Sequence, residues 1–369
     1  MAAMNTDIAF TDEQAMLLET ATAFCRDKSP IRAVRTLLLS DTGFDRAVWD
    51  EMVALGWPGI AIPETHGGSG LSLAEIATIT EPMGRHLLAT PFVSTQLAIQ
   101  ALLATGDAAL LPRIAQGAIA TVALFEADGD WDLTRPEASA TRRGASVILD
   151  GRKTLVTDAA VATIIVVSVR ADGAPALALL ESVPPARLRP EIVIDETRRT
   201  AALDLTGLEI PATSLITGPA AQAALAAIRN AALLLATAEA AGGIAGVLDV
   251  TVEYLNTRTT FGRKIGSYQA LKHSCADILV GLERTRSHLY HAATICRAGT
   301  DPEIALRMAK AEAGDVFTHV GDRAVQFHGG FGFTYECDAQ LFLRRALWLQ
   351  YSFGDASHQR RKLADLLLQ

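Results

Sequence analysis

Apolar positions recur at helical spacing from the start of the chain to about residue 119, and the punctuation agrees with them. Thr11-Asp-Glu-Gln14 has the form of a capping box, opening a helix that must stop by Pro30. Asp45 is placed to cap a second helix through Trp49, Met52, Val53 and Leu55, which Gly56 and Pro58 close. Ser72-Leu-Ala-Glu75 is another capping box, after the loop Pro63-Glu-Thr-His-Gly-Gly-Ser-Gly70, and two helical segments follow around 92–105 and 107–116. From about 120 to 218 the period changes. β-Branched runs appear at Ser146-Val-Ile-Leu149, Thr154-Leu-Val-Thr157 and Ile164-Ile-Val-Val-Ser-Val169. Asp150-Gly151 predicts a hairpin between the first two, Asp172-Gly173 a turn after the third, and residues 200–210 a further strand before Pro211. The expectation is a small, mostly antiparallel β-domain.

From 219 onward the helical period returns in four long runs, about 219–260, 267–298, 302–327 and 337–367. Gly299 ends the second, and Asp301-Pro302 starts the third with a cap and a first-turn proline. Short loops between such helices suggest an antiparallel bundle. The predicted fold is thus α+β and mostly α: a helical domain over 1–119, a β-barrel-like domain over 120–218 and a four-helix bundle over 219–369. The most apolar window, 220–250, is interrupted by Arg229, Glu239 and Asp249 and reads as a buried bundle helix, not a membrane span.

Composition narrows the partners. A net charge of −8 argues against nucleic acid or an anionic membrane as the main partner, so an anionic ligand would need a local arginine cluster. Cys25, Cys275, Cys296 and Cys337 are dispersed, with no CxxC spacing. They read as reduced thiols of a cytoplasmic protein and not as a metal site or a disulfide framework. The first seven residues lack a basic region and an apolar run, so no signal peptide is expected.

Two stretches carry the candidate chemistry. In the first, Tyr254 and Arg258 are four apart, on one helix face, and Gly262 lets the helix end. Arg258 could pair with a phosphate, Phe261 offers an apolar surface to an aromatic ring, and Gln269, eleven residues beyond Arg258, starts the next helix. The alternative for this stretch is an ordinary solvated helix end. In the second, Gln326-Phe-His-Gly329-Gly330-Phe-Gly332-Phe-Thr334, consecutive glycines allow positive φ and close approach of the backbone to a ligand, with amides facing pyrophosphate or ribose oxygens. The alternative there is a flexible connector; the two motifs in this order make the case for a dinucleotide. His328 reads as a structural histidine.

With these motifs the chain resembles the acyl-CoA dehydrogenase family over nearly its whole length. Arg-x-x-Phe-Gly, Gln-x-x-Gly-Gly-x-Gly and the order helical domain, β-domain, four-helix bundle are hallmarks of that family. Leu55-Gly-Trp-Pro-Gly-Ile-Ala-Ile-Pro-Glu64…Gly67-Gly68 is similar to its usual N-terminal segment. Glu81-Pro-Met-Gly-Arg85 and Ala89-Thr-Pro-Phe92 are similar to bacterial FadE-type members acting on bulky or dicarboxylic acyl-CoAs. The resemblance implies noncovalent FAD, oxidation of an acyl-CoA at Cα–Cβ and electron transfer to an electron-transfer flavoprotein. It implies FAD contacts from Arg258, Phe261, Gln269, Gln326, Gly329, Gly330 and Thr157.

The chain departs from the family pattern in two places. Arg344-Arg-Ala-Leu-Trp-Leu-Gln-Tyr-Ser-Phe353-Gly354 lies along the family's Arg-Asp-Ala…Tyr-Glu-Gly, so Phe353 stands where most members keep the catalytic carboxylate. Counted back from Arg258 without gaps, the base position of a minority of members falls at Ala232. Glu239, seven residues on and about 10 Å away, is either a displaced base or a buried carboxylate paired with an arginine. In the β-domain, Phe125-Glu-Ala-Asp-Gly-Asp130 replaces the family's Thr-Glu-Pro-x-Ala-Gly-Ser-Asp. Thr157 is kept, and Leu155 stands where many members have Trp. No catalytic residue and no metal ligand is therefore assigned to this chain. The expectation is the base-lacking subunit of an α2β2 heteromeric acyl-CoA dehydrogenase, completing the FAD site of a homologous partner. The alternatives are a self-sufficient homotetramer using Glu239 or another acid, and a non-redox scaffold that binds acyl-CoA or protein.

Overall fold

The computed structural model describes residues 11–368; the signal-peptide reading falls outside them. The first helices are α1 (Asp12–Lys28), α2 (Ile31–Leu38), α3 (Arg46–Ala54), α4 (Leu73–Arg85), α5 (Phe92–Thr105) and α6 (Leu111–Ala115). Both capping boxes form: Thr11 with Gln14 and Ser72 with Glu75 exchange side-chain and backbone bonds. Asp45 caps α3 through the amide of Ala47. The apolar face of α3 ends earlier than the pattern suggests, because Leu55 lies past the last turn and is exposed.

Ten strands follow: β1 (Ala120–Ala123), β2 (Ser139–Arg143), β3 (Ser146–Asp150), β4 (Arg152–Thr157), β5 (Ile164–Ala171), β6 (Ala174–Glu181), β7 (Leu188–Glu191), β8 (Thr200–Asp204), β9 (Leu208–Pro211) and β10 (Leu215–Ile216). They make two sheets. The larger runs β10-β6-β5-β2-β3-β9, with β1 also on β5; the smaller runs β4-β8-β7. Pairing is antiparallel except where β5 meets β1 and β2. Asp172-Gly173 makes the β5–β6 hairpin, both residues at positive φ. The hairpin expected at Asp150-Gly151 is corrected. β3 pairs with β2 and β9, β4 pairs with β8, and the chain turns a corner from one sheet to the other at Gly151. There φ is +121° and a Cβ would press on Ala138, so glycine is required. The run 200–210 is likewise two strands, one in each sheet.

The C-terminal helices are α7 (Pro219–Thr257), α8 (Gln269–Arg297), α9 (Glu303–His328), α10 (Ala339–Tyr351) and α11 (Ala356–Leu367). Between α7 and α8 lie two-residue strands, β11 (Thr259–Thr260) and β12 (Arg263–Lys264). Two boundaries differ from the pattern. Helix α7 ends three residues early because the chain turns into that hairpin. The last run is two helices, broken at Ser352–Asp355, where Phe353 and Gly354 have φ of +57° and +100°. Helix α7 is long and apolar enough to cross a membrane, yet 94% of its most apolar window is buried inside the protein, as a helix apolar on all sides requires.

The chain forms two compact units, each discontinuous in sequence. One holds the chain up to Thr36, Ser72–Leu88 and the chain from Leu233 onward; the other holds Leu37–Leu71 and Ala89–Ala232. In the first, α4 crosses α7 at backbone contact. A Cβ on Gly84 would strike the carbonyl of Glu239, and one on Gly242 that of Glu81. In the second, both sheets share a core around Val147, Leu149, Val167 and Leu203, and α5 joins β1 through Thr95, whose hydroxyl bonds the backbone of Ala120. Arg199, just before β8, donates to the carbonyls of Leu37, Leu38 and Ser40, tying the entering chain to the smaller sheet.

Candidate functional site

In the first unit, the last turn of α7 and the end of α9 are held together by stacked rings. Tyr254 lies on His328 with centroids 4.2 Å apart and planes at 27°, and 6.2 Å from Phe331. The Tyr254 hydroxyl donates to the His328 carbonyl at 3.3 Å. His328 is buried, and its Nδ1 lies 2.7 Å from the Ala324 carbonyl one turn back, which fixes the proton on Nδ1. The histidine is structural, as its sequence context suggests. Sequence spacing missed the stack because it joins residues 74 positions apart.

Arg258, Gln326, Gly329 and Gly330 lie on the two segments that this stack joins. Arg258 donates its backbone N–H to Tyr254 as the last helical bond, and its exposed guanidinium has no ion pair among the described residues. Phe261 and Gly262 form the two-residue turn of the β11–β12 hairpin at φ of +53° and +78°. The Phe261 ring is 90% exposed. A bulky side chain in that backbone region, turned to water, is an uncommon arrangement for an apolar residue. Gln269 begins α8, and Gln326 lies on the last turn of α9; both are exposed. Gly329 takes φ +61°, ψ −142°, a conformation confined essentially to glycine, and its N–H bonds back to the Gln326 carbonyl. Residues 258–272 carry Arg258, Arg263, Lys264 and Lys272 and no acid, in a chain of net charge −8. All four are exposed.

The position of the expected carboxylate lies in the break between α10 and α11. Phe353 is half-buried there. The break is built by buried polar groups. The Lys310 ammonium donates to the carbonyls of Gln350 and Gly354 at 3.1 and 3.0 Å. The Gln359 amide donates to the Phe353 carbonyl at 2.7 Å, and its oxygen accepts from Arg307. The Lys310 ammonium and the neutral Gln359 amide satisfy carbonyls at and just beyond the end of α10, and Arg307 holds the Gln359 amide in place. Burial lowers the Lys310 ammonium to a pKa of about 8. Lys310 carries a signal that sequence reading passed over: it stands on the buried stripe Leu306, Ala313, Phe317 of α9. Glu239 is buried in α7 and paired with the wholly buried Arg345 of α10. Of the two readings of Glu239, the fold adopts the paired carboxylate.

In the other unit, Thr157 ends β4, and its carbonyl accepts from Thr121 at 2.6 Å. Leu155 bends outward at φ +54° and is partly exposed. Its N–H, with the Thr154 hydroxyl, donates to Glu191 of β7 at 2.8 and 2.5 Å. The stretch from Phe125 holds a buried pair. Glu126 accepts from Lys153 at 2.6 Å and from the amides of Glu137 and Ala138, each at 2.7 Å. Burial alone would raise the Glu126 carboxyl, but the ammonium and the two amides outweigh it and hold it below the usual range. Burial pushes Asp158, beside Thr157, up to about 6, against the hydrogen bond from Ser94 at 2.6 Å.

A helical region, a two-sheet region and a run of long helices, in that order, define the fold class of the chain. Its family follows from comparison: residues 11–118 match the model of the acyl-CoA dehydrogenase N-terminal domain, and residues 221–368 that of the C-terminal domain. The chain belongs to the acyl-CoA dehydrogenase family. It is 30% identical to the acyl-CoA dehydrogenase IpdE2 of Mycolicibacterium smegmatis over 96% of this chain and 98% of that one. Among solved structures, the ChsE4-ChsE5 complex from Mycobacterium tuberculosis matches at TM-score 0.87 and 26% identity, over 98% of this chain and 99% of that one. A variant of the Tcur3481-Tcur3483 steroid ACAD matches at 0.85 and 26%, over 97% and 98%.

Proposed function

We propose that this chain is the FAD-binding, base-lacking subunit of an α2β2 acyl-CoA dehydrogenase that oxidises an acyl-CoA at Cα–Cβ to the 2-enoyl-CoA. The observation that carries this reading is Phe353, a side chain with no proton acceptor, at the turn where most of the family keeps its carboxylate. Glu239, the alternative acid, is occupied by Arg345. Loss of general-base catalysis costs about 10²–10⁴ in rate, so the α-proton must go to a carboxylate of the partner subunit. Likeness to the ChsE4-ChsE5 complex supports assembly from two related chains, and likeness to a steroid ACAD supports a bulky acyl group.

FAD, when bound, supplies the hydride acceptor, and an electron-transfer flavoprotein takes the electrons onward. The residues on this chain fit the group's anionic, adenine-bearing end. Arg258 would pair with the pyrophosphate, Phe261 would lie on an aromatic ring, and Gln269, Gln326 and the Gly329-Gly330 turn would line the tail. In the other unit, considered by itself, Thr157 would offer its hydroxyl to the ring end of such a group. There the hydroxyl-rich family segment is replaced, and Glu191 takes the Leu155 amide.

Co-expression with a homologous carboxylate-bearing subunit tests the proposal. The expected result is a yellow complex that reduces a dye with acyl-CoA, with little activity from this chain alone, and with Glu239→Gln lowering the activity of the complex no further than its loss of the buried Arg345 pair lowers stability. Rapid turnover by the isolated chain, abolished by Glu239→Gln, would establish the homotetramer instead. A colourless, inactive protein in every combination would point to the scaffold.

A further inference from the structure

The fixed tail-binding groups need a support, and one chain of contacts provides it. Arg258 follows Tyr254 by one turn, and its amide is bonded to the Tyr254 carbonyl. The Tyr254 ring lies on His328, and its hydroxyl donates to the carbonyl of the His328–Gly329 peptide. His328 is tied to its own helix through Ala324, and Phe331, beyond the glycines, lies 6.4 Å from His328. Gly332 closes the turn against the Val325 carbonyl with no room for a Cβ. The Gly329–Gly330 turn is therefore joined to the segment that carries Arg258 by the three rings of Tyr254, His328 and Phe331 and by one hydrogen bond. These ring contacts join the ends of α7 and α9, whose ligand-facing groups are otherwise on exposed segments.

We infer that Tyr254 and His328 are positioning residues that hold Arg258 and the Gly329-Gly330 turn in register for one nucleotide diphosphate. The inference rests on the proposed dinucleotide reading of this site and goes beyond it, because neither residue is assigned a contact with the ligand. Tyr254→Phe keeps the stack and loses only a hydrogen bond at 3.3 Å, whereas Tyr254→Leu loses both. A shift of about 1 Å between fixed groups can cost two orders of magnitude in function.

The test is calorimetric titration of the whole chain, alone and as the co-expressed pair, with ADP and with FAD, beside a melting curve for each variant. The expected result is binding by the wild type, loss on Arg258→Ala and about tenfold or greater weakening by Tyr254→Leu. Tyr254→Phe should stay within about threefold of the wild type, and melting temperatures should hold within about 2 °C. Wild-type affinity in Tyr254→Leu overturns the inference, as does a loss of affinity no larger than its loss of stability explains. Should that variant fail to fold, His328→Asn, whose amide keeps a donor toward Ala324, is read by the same two outcomes. Failure of the wild type to bind either probe, alone or in the pair, sinks the dinucleotide reading itself and this inference with it.

Discussion

Replacing Arg345 with Met removes a guanidinium from a carboxylate that is almost wholly buried. Arg345 has no exposed surface, and the Glu239 side chain is 5% exposed. Breaking such a pair from one side costs about 3–5 kcal/mol. Glu239 can relieve part of this by taking up a proton. Holding a carboxyl of ordinary pKa ~4.3 neutral at pH 7 costs about 3.7 kcal/mol, within the same range. The sign with pH follows. In the variant the folded chain keeps a proton that the unfolded chain has released, so its stability falls as pH rises above the unfolded pKa. From pH 5 to pH 7 the fall is at most about 2.7 kcal/mol, at about 1.36 kcal/mol per pH unit. The wild type, in which Glu239 keeps its guanidinium partner, is the reference against which this slope is read. Urea unfolding of the wild type, Arg345→Met and the double variant Arg345→Met with Glu239→Leu, at pH 5 and 7, reads all three quantities. The double variant should regain most of the loss, because apolar replacement of a buried pair is often neutral. A single variant within about 1 kcal/mol of the wild type at pH 7, or one whose deficit is equal at both pH values, would refute the reasoning.

The crossing of α4 and α7 and the α10–α11 break give two more tests. Gly242→Ala should destabilise by about 1–3 kcal/mol or more, since its Cβ meets the Glu81 carbonyl, whereas Gly314→Ala, with open space around it in α9, should stabilise by up to about 1 kcal/mol; thermal melts compare the two. Lys310 titrates at about 8 in the fold and at 10.5 when unfolded, so between those values the unfolded chain binds the extra proton and this site's contribution to stability rises with pH. Raising the pH from 8 to 10 should shift urea midpoints in favour of the wild type over Lys310→Met, and a constant gap would count against a buried, depressed ammonium.

Local chemistry was legible wherever it was self-contained. Thr11 with Gln14, Ser72 with Glu75 and Asp45 announce their helix starts because a cap's donor and acceptor lie within three residues of each other. The β5–β6 turn at Asp172-Gly173 is legible for the same reason. Asp150-Gly151 carries equal turn chemistry and joins no hairpin, because the choice of partner strand depends on residues 43 to 65 positions away. The break at Phe353 was hidden inside a helical period. The chain leaves the helix at Ser352 and passes through Phe353 and Gly354 at positive φ, where Lys310 from α9 and Gln359 from α11 hold their carbonyls.

The sequence by itself determined the helix starts, the strand-rich middle, the family and the absence of a proton acceptor at residue 353, since each depends on residue type at a fixed place in the chain. Only the tertiary structure decided that Glu239 is bound to Arg345, that Tyr254 stacks on His328 and that two sheets share the β-region. Pairings of this kind are chosen by desolvation and packing among groups brought together from distant positions, and one-dimensional spacing carries no record of them.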